Sequence, residues 1–358
     1  MIRLRSIGDT VLMTPCLAAL KSWRPDLHIT VLLEETAAPL LESHHLVDRV
    51  IVCPKNTTAK VGLIREVRRS HFDIAFNMHG GTTGTIIASL SGTSYTAGYA
   101  GFRYSRLLSQ RAPDPDVVLG KKQIHSVEQQ LALLSWTGVP WPSSTELSLP
   151  VSASARESVS AQLRSAGMES IDSATYAIIS PSASIPSKRW PAANFAMIAE
   201  HLYDFWRIKS VVIAATGEEE TAQGVAIASN GNAQVVGSLS LSELVALIAR
   251  AKLFVGNDSG PMHIAGAMKI PLVAIFGSSN PDVWRPWTQG ACKVCGAGQV
   301  FSPEAAAGPS RQSSQQSNRH SAAHVDPAEQ AGFPISTISI DSIITAVDEV
   351  MEESLSAT

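Results

Sequence analysis

Hydrophobic positions along this chain alternate between short continuous apolar runs and longer stretches with helical spacing. The clearest case is Lys252 to Gly277. Leu253, Phe254 and Val255 form the apolar run of a strand buried on both faces. Gly256-Asn257-Asp258-Ser259-Gly260-Pro261 then concentrates turn formers and helix-start residues. Met262, Ile264, Ala265, Ala267 and Met268 follow at the spacing of a small-residue helix, Pro271 stops it, and Leu272–Phe276 reads as a second buried strand. Strand, glycine-rich turn, helix and strand make a βαβ unit whose turn lies at the carboxyl edge of a parallel sheet.

The same alternation runs through the rest of the chain. Ile2–Leu4 is the stub of a first strand, followed by the turn Ser6-Ile7-Gly8-Asp9-Thr10. The pattern predicts a helix over Val11–Trp23 broken only by Pro15, a strand over His28–Leu33, a helix over Ala37–Glu42 and a strand over Arg49–Cys53. Helices over Val61–Arg69 and Thr83–Leu90 bracket a strand over Asp73–Asn77, and His125–Thr137 is a long striped helix. Pro150–Arg156 reads as a junction between domains 1–152 and 153–358. Beyond it, strands at Tyr176–Ser180, Ser210–Ala214 and Val235-Val236 alternate with helices at Ala193–Tyr203, Thr221–Ala228 and Leu241–Ala251. Both halves therefore read as doubly wound α/β domains, and two such domains facing each other would leave a cleft between their carboxyl edges. Residues 296–334 break the pattern with Ser, Gln, Ala and Gly and read as a flexible loop or divergent insertion, before Ile338–Glu353 recovers a helix.

Bulk properties narrow the picture. At 358 residues two domains are expected, and the net charge of −3 argues against a general nucleic-acid binder. Residues 1–165 carry 17 basic against 13 acidic side chains and the remainder 11 against 18, so the first half could face an anionic partner or membrane surface. No apolar run approaches a membrane span, no signal peptide precedes the first turn, and four cysteines without a framework suit a reducing cytoplasm.

Several residues could carry chemistry. A helix start at Ser259–His263 would offer free backbone N–H groups and the positive end of the helix dipole to a phosphate, with His263 adding a donor. Asp258 or Ser259 could equally be an ordinary helix cap, with His263 on the surface. Asp9, the only carboxylate of the first turn, could serve as a general base towards a hydroxyl or cap a helix starting at Thr10. Lys188, in the loop after the strand Tyr176–Ser180, could reach a phosphate. Glu220 could accept from a ribose diol, or belong to an acidic first turn, Glu218–Glu220. Cys292 and Cys295 raise the question of a metal with His320 and His324, at a spacing too long for a zinc finger. Ser259 has no partner set of a serine hydrolase.

Two motifs together resemble one family. Arg3-Leu4-Arg5-Ser6-Ile7-Gly8-Asp9-Thr10-Val11-Leu12 with Thr14-Pro15, and Gly256-Asn257-Asp258-Ser259-Gly260-Pro261-Met262-His263, resemble glycosyltransferase family 9, the heptosyltransferases of the lipopolysaccharide inner core. Lys188-Arg189-Trp190-Pro191 and Gly217 to Glu220 stand at matching places. The resemblance implies a GT-B architecture, two Rossmann-like domains facing a central cleft, with acceptor on the first and ADP-sugar donor on the second. It implies Asp9 as base beside Gly8, Ser184 and Lys188 on the donor phosphates, and Glu220 at the nucleotide sugar. It also implies Asp258 on the donor sugar and Ser259, Gly260, Pro261, Met262 and His263 as the diphosphate cradle.

The activity so implied is inverting transfer of a heptose or related sugar, without metal or cofactor, to a lipid-linked oligosaccharide at the cytoplasmic face of the inner membrane. Two departures from the family pattern stand out. The first strand is short, so the true start is expected upstream of Met1, and the tail lacks the additional cysteines common in the family. These departures motivate an alternative, an inactive relative that binds nucleotide sugar without turnover; a sugar-nucleotide epimerase on the same architecture is the third.

Overall fold

The computed structural model describes residues 1–168, 176–296, 299–302 and 334–356. Two compact units divide the chain, Met1–Thr145 and a second from Glu146 on.

The first unit runs α1 (Ile7–Leu12), α2 (Thr14–Trp23), β1 (Thr30–Glu34), β2 (Arg49–Cys53), α3 (Thr57–Arg69), β3 (Ile74–Phe76), α4 (Thr82–Leu90), β4 (Tyr95–Tyr99), β5 (Gln110–Ala112), α5 (Pro115–Leu119) and α6 (Ser126–Trp136). The expected single helix over Val11–Trp23 is two. Pro15 has no N–H to give to the preceding turn, so it sits in the first turn of α2, and α1 starts earlier, at Ile7. The expected helix over Ala37–Glu42 shrinks to a 3-10 turn, Ala38–Leu40.

The stub at Ile2 proves central. Ile2 is bridged in parallel to Leu32 of β1 on one side and to Asn77, next to β3, on the other. Its backbone N–H donates to Phe76 O at 2.8 Å, and Leu32 N–H donates to Met1 O at 2.8 Å. With β1 parallel to β2, and β3, β4 and β5 parallel to one another, the spatial order is β2-β1-Ile2-β3-β4-β5. In chain order this is 3-2-1-4-5-6, the doubly wound arrangement whose order reverses beside its first strand. Ile2, Leu4, Leu32, Ile51 and Leu63 share the core on one face.

The second unit runs α7 (Ala153–Ser165), β6 (Tyr176–Ser180), α8 (Ala192–Trp206), β7 (Lys209–Val212), α9 (Glu219–Ala228), β8 (Ala233–Val235), α10 (Leu241–Ile248), β9 (Leu253–Asn257), α11 (Gly260–Ala267), β10 (Leu272–Phe276), α12 (Pro281–Trp284), β11 (Cys292–Gly296), β12 (Gln299–Phe301) and α13 (Ile340–Ser356). Strands β8-β7-β6-β9-β10-β11 are parallel in that order, and β12 adds an antiparallel edge. This is again 3-2-1-4-5-6. Every residue of β6, β9 and β10 is buried, as helices on both faces of a parallel sheet require. Gly256 is demanded by the sheet, since a Cβ there would lie 2.7 Å from Ser180 Cβ and 2.9 Å from Ser180 O. Of the compositionally biased stretch, Gln299–Phe301 forms β12, while residues 303–333, including His320 and His324, lie outside the described residues.

Candidate active site

In the first unit the strand order reverses between the Ile2 stub and β3, and the chain leaves the stub there through a strained turn. Arg5 and Ser6 both take left-handed conformations, φ 73° and 43°. Such conformations cost of order 1–3 kcal/mol each and persist where the surroundings impose them. Ser6 then caps α1, its Oγ accepting from the Asp9 N–H at 3.1 Å. Asp9 is therefore not a cap, one of the two roles the sequence left open for it; it is the third helical residue. Its Oδ2 accepts from Ser6 Oγ at 2.7 Å, and its Oδ1 accepts from the Arg3 guanidinium. A second arm of Arg3 donates to Met78 O, at the carboxyl end of β3. Gly8 is buried within α1. The turn thus presents a carboxylate, held on both oxygens, at the switch point of the sheet.

In the second unit the reversal falls between β6 and β9. Asn257, at the end of β9 and fully buried, donates from Nδ2 to Pro181 O at 2.7 Å and accepts from Trp190 N–H at 3.2 Å. The amide straps the loop after β6 to the end of β9. Trp190, also buried, donates from its indole to Ile338 O at 3.0 Å and meets Phe195 edge-on, so the loop that carries Lys188 is anchored in the core. Lys188 Nζ lies 2.7 Å from Asp258 Oδ2, which also accepts from Ser279 Oγ in the loop after β10. Asp258 is 6% exposed.

Helix α11 begins at Gly260, with no side-chain cap. Ser259 occupies the cap position, yet its Oγ is buried and makes no hydrogen bond among the described residues. Asp258, the other expected cap, is committed to Lys188. Pro261 has no N–H, so the first turn offers those of Gly260 and Met262. His263 is buried rather than on the surface. An uncapped helix start, a hydroxyl and an ammonium at one switch point are groups that can take an anion by charge and by hydrogen bonding.

Other candidates stand apart from these. Ser184 and Glu220 are exposed, on the loop after β6 and in the first turn of α9. The carboxylate bound into this region is Glu218, paired with Arg189, whose Nε also donates to Ala183 O at 2.7 Å. Cys292 and Cys295 sit three apart on β11, so they point to opposite faces of the sheet. Both are buried, and burial pushes the Cys295 thiol up to about 12. Among the described residues no three His, Cys, Asp or Glu side chains group as for a metal ion, and no helix is long and apolar enough to cross a membrane.

Arg3, Ser6, Asn257 and Ser279 carry the geometry, and the sequence reading gave none of them a role. Arg3 alone left a signal, a charge between Ile2 and Leu4 in a strand read as buried, which obliges a buried partner.

A family model described as glycosyltransferase family 9 (heptosyltransferase) matches residues 61–308. The chain belongs to glycosyltransferase family 9. This family 9 transferase is 27% identical over 299 residues to lipopolysaccharide heptosyltransferase 3 of Escherichia coli, covering 80% of its own length and 85% of that protein's. Among solved structures it is similar to a glycosyl transferase family 9 protein of Veillonella parvula DSM 2008, with TM-score 0.81, 24% identity and coverage of 99% and 96%. It is also similar to the E. coli ADP-heptose lps heptosyltransferase II, with TM-score 0.73, 21% identity and 98% of each chain covered. Its two Rossmann-like units are those of the GT-B fold.

Proposed function

We propose that this glycosyltransferase moves a heptose, or a closely related sugar, from an ADP-sugar to an inner-core acceptor of lipopolysaccharide, inverting the anomeric centre without a divalent cation. The donor and acceptor classes follow the names of its relatives, an Escherichia coli lipopolysaccharide heptosyltransferase and an ADP-heptose lps heptosyltransferase. The division of labour is argued from the two switch points. The second unit takes the donor, with Ser184 and Glu220 at the edge of that site. The first unit takes the acceptor beside Gly8 and Asp9.

The observation that carries this reading is the complementary charge at the two switch points. The first holds a fixed carboxylate, Asp9; the second holds an uncapped helix start with the Lys188 ammonium. The acceptor hydroxyl loses its proton to Asp9 as its oxygen bonds to the anomeric carbon. The bond from that carbon to the diphosphate oxygen breaks with its electron pair, and ADP leaves. Negative charge growing on the diphosphate meets the N–H groups of α11 and the ammonium of Lys188, groups fixed before the reaction begins. An ammonium has three donors, so one bond to Asp258 leaves two for phosphate oxygens. Attack opposite the leaving group inverts the centre. In this reading the protein meets its lipid-linked acceptor peripherally, at the cytoplasmic face of the inner membrane.

Incubation with ADP-heptose and a panel of Kdo- or heptose-terminated acceptors, read by mass spectrometry and NMR, tests the reading. A heptosylated product of inverted anomeric configuration, formed equally in EDTA, is expected. Donor isomerisation, binding without transfer, or activity lost in EDTA and restored by magnesium would overturn it.

A further inference from the structure

We propose that Arg3 is a positioning residue for transfer, fixing the direction in which the Asp9 carboxylate meets the acceptor hydroxyl. The inference rests on Asp9 being the base. Arg3 belongs to the central stub, where its own N–H donates to Leu32 O at 3.0 Å while Met78 N–H donates to Ile2 O at 2.9 Å. The backbone bearing the guanidinium is thus clamped between β1 and the end of β3. Arg3 is 9% exposed, and its two terminal nitrogens are divided between Met78 O and Asp9 Oδ1. One arm is tied to the rigid sheet, so the planar fork transmits the sheet's geometry to the other arm.

Asp9 itself rides on α1, which is joined to the stub only through the left-handed turn at Arg5 and Ser6. Ser6 Oγ is part of that turn and fixes Oδ2 to the helix. Arg3 is the group that fixes the carboxylate to the sheet. Each oxygen keeps a further lone-pair direction after these bonds, so the grip leaves the carboxylate able to accept a proton.

The plainer account is that a buried guanidinium needs a carboxylate for its own sake. The two accounts differ in what Arg3 does to turnover once Asp9 is gone. The full chain is assayed with ADP-heptose and the same panel of Kdo- and heptose-terminated acceptors, as wild type, Arg3→Met, Arg3→Lys, Asp9→Asn and the double variant Arg3→Met/Asp9→Asn. Misplacing a reacting group by about 1 Å costs up to about a hundredfold. Arg3→Met should therefore lose about ten- to a hundredfold in kcat with the KM for donor unchanged. Added guanidinium chloride should restore part of that loss and should not help Asp9→Asn. In the double variant, Arg3→Met should add no further loss. Arg3→Lys keeps the cation and loses the fork, so it should fold as wild type and still fall in kcat. Multiplying losses in the double variant, a wild-type kcat in Arg3→Lys, or no rescue by guanidinium would overturn the positioning role. A wild-type kcat in Asp9→Asn alone would instead overturn the base assignment on which it rests.

Discussion

Lys188 Nζ and Asp258 Oδ2 lie 2.7 Å apart, so the ammonium expected to meet the donor's diphosphate is already held by a buried carboxylate. The pair reconciles two separate expectations, Lys188 on phosphate and Asp258 on sugar, by making each the other's support. Removing Lys188 alone would leave Asp258 buried and unpaired, a costly change of about 3–5 kcal/mol. Lys188→Met/Asp258→Asn should recover most of the stability lost in Lys188→Met. It should still bind ADP more weakly than wild type by about 1.5–3 kcal/mol in calorimetry, the worth of a hydrogen bond to a charged group. Wild-type ADP affinity in the double variant would remove Lys188 from the donor site.

Gly277 closes the same site from the loop after β10. A Cβ there would lie 2.2 Å from Ser187 O and 3.1 Å from Ile335 Cβ, an overlap with backbone that no rotamer relieves. Gly277→Ala should cost about 1–3 kcal/mol, as overpacking does, and should weaken ADP binding by shifting the residue next to Lys188. Gly224, within α9, has nothing within 4 Å of its added Cβ. Gly224→Ala should stabilise by about 0.5–1 kcal/mol through helix propensity alone. Thermal melts of the two variants moving in the same direction would contradict this.

The alternation of buried strands and helices was legible because a parallel sheet covered on both faces demands continuous apolar runs, as at Leu253–Asn257 and Leu272–Phe276. Strand β4, Tyr-Thr-Ala-Gly-Tyr, was not legible; it lacks the aliphatic run and is specified by its parallel partners β3 and β5. The Ile2 stub reads as a first strand that is short for a buried sheet. It is central because β1 and β3 hydrogen-bond to it from both sides, a long-range fact no local pattern contains. The glycine turns that mark the candidate site were readable from residue type. The groups that hold its charges, Arg3 and Ser279, were not, since only the fold brings them to Asp9 and Asp258.

Glu243 ties α10 to α7 and sets a pH dependence of the second unit. Hydrogen bonds from Ser158 first, and then from Ser240, hold its carboxyl below the usual carboxylate range. A carboxyl depressed by folding stabilises above its unfolded pKa, about 4.3, and that stability is lost as pH falls through the folded value. Glu243→Gln should therefore melt below wild type at pH 7, with the gap closing below about pH 4 as wild-type Glu243 takes up its proton. A gap that is constant from pH 7 to pH 3 would show that the charge contributes nothing.

All four cysteines are buried, and desolvation is the main cause raising each thiol above its ordinary range, Cys295 to about 12. Thiolate is the reactive form, so the native protein at pH 8 should react only slowly with Ellman's reagent and release all four thiols on denaturation. Rapid native labelling of Cys292 or Cys295 would mean that β11 is open to solvent.

The measurement that bears most directly on the account is the turnover of Asp9→Asn with ADP-heptose and the lipopolysaccharide acceptor. Asparagine keeps the shape of the side chain and can still meet Ser6, but it cannot take a proton from the acceptor hydroxyl. The account predicts kcat lower by roughly 10²–10⁴, the usual worth of a general base, with ADP affinity close to wild type. An Asp9→Asn protein that keeps more than about a tenth of wild-type turnover would contradict it, because transfer would then proceed without a carboxylate to take the proton.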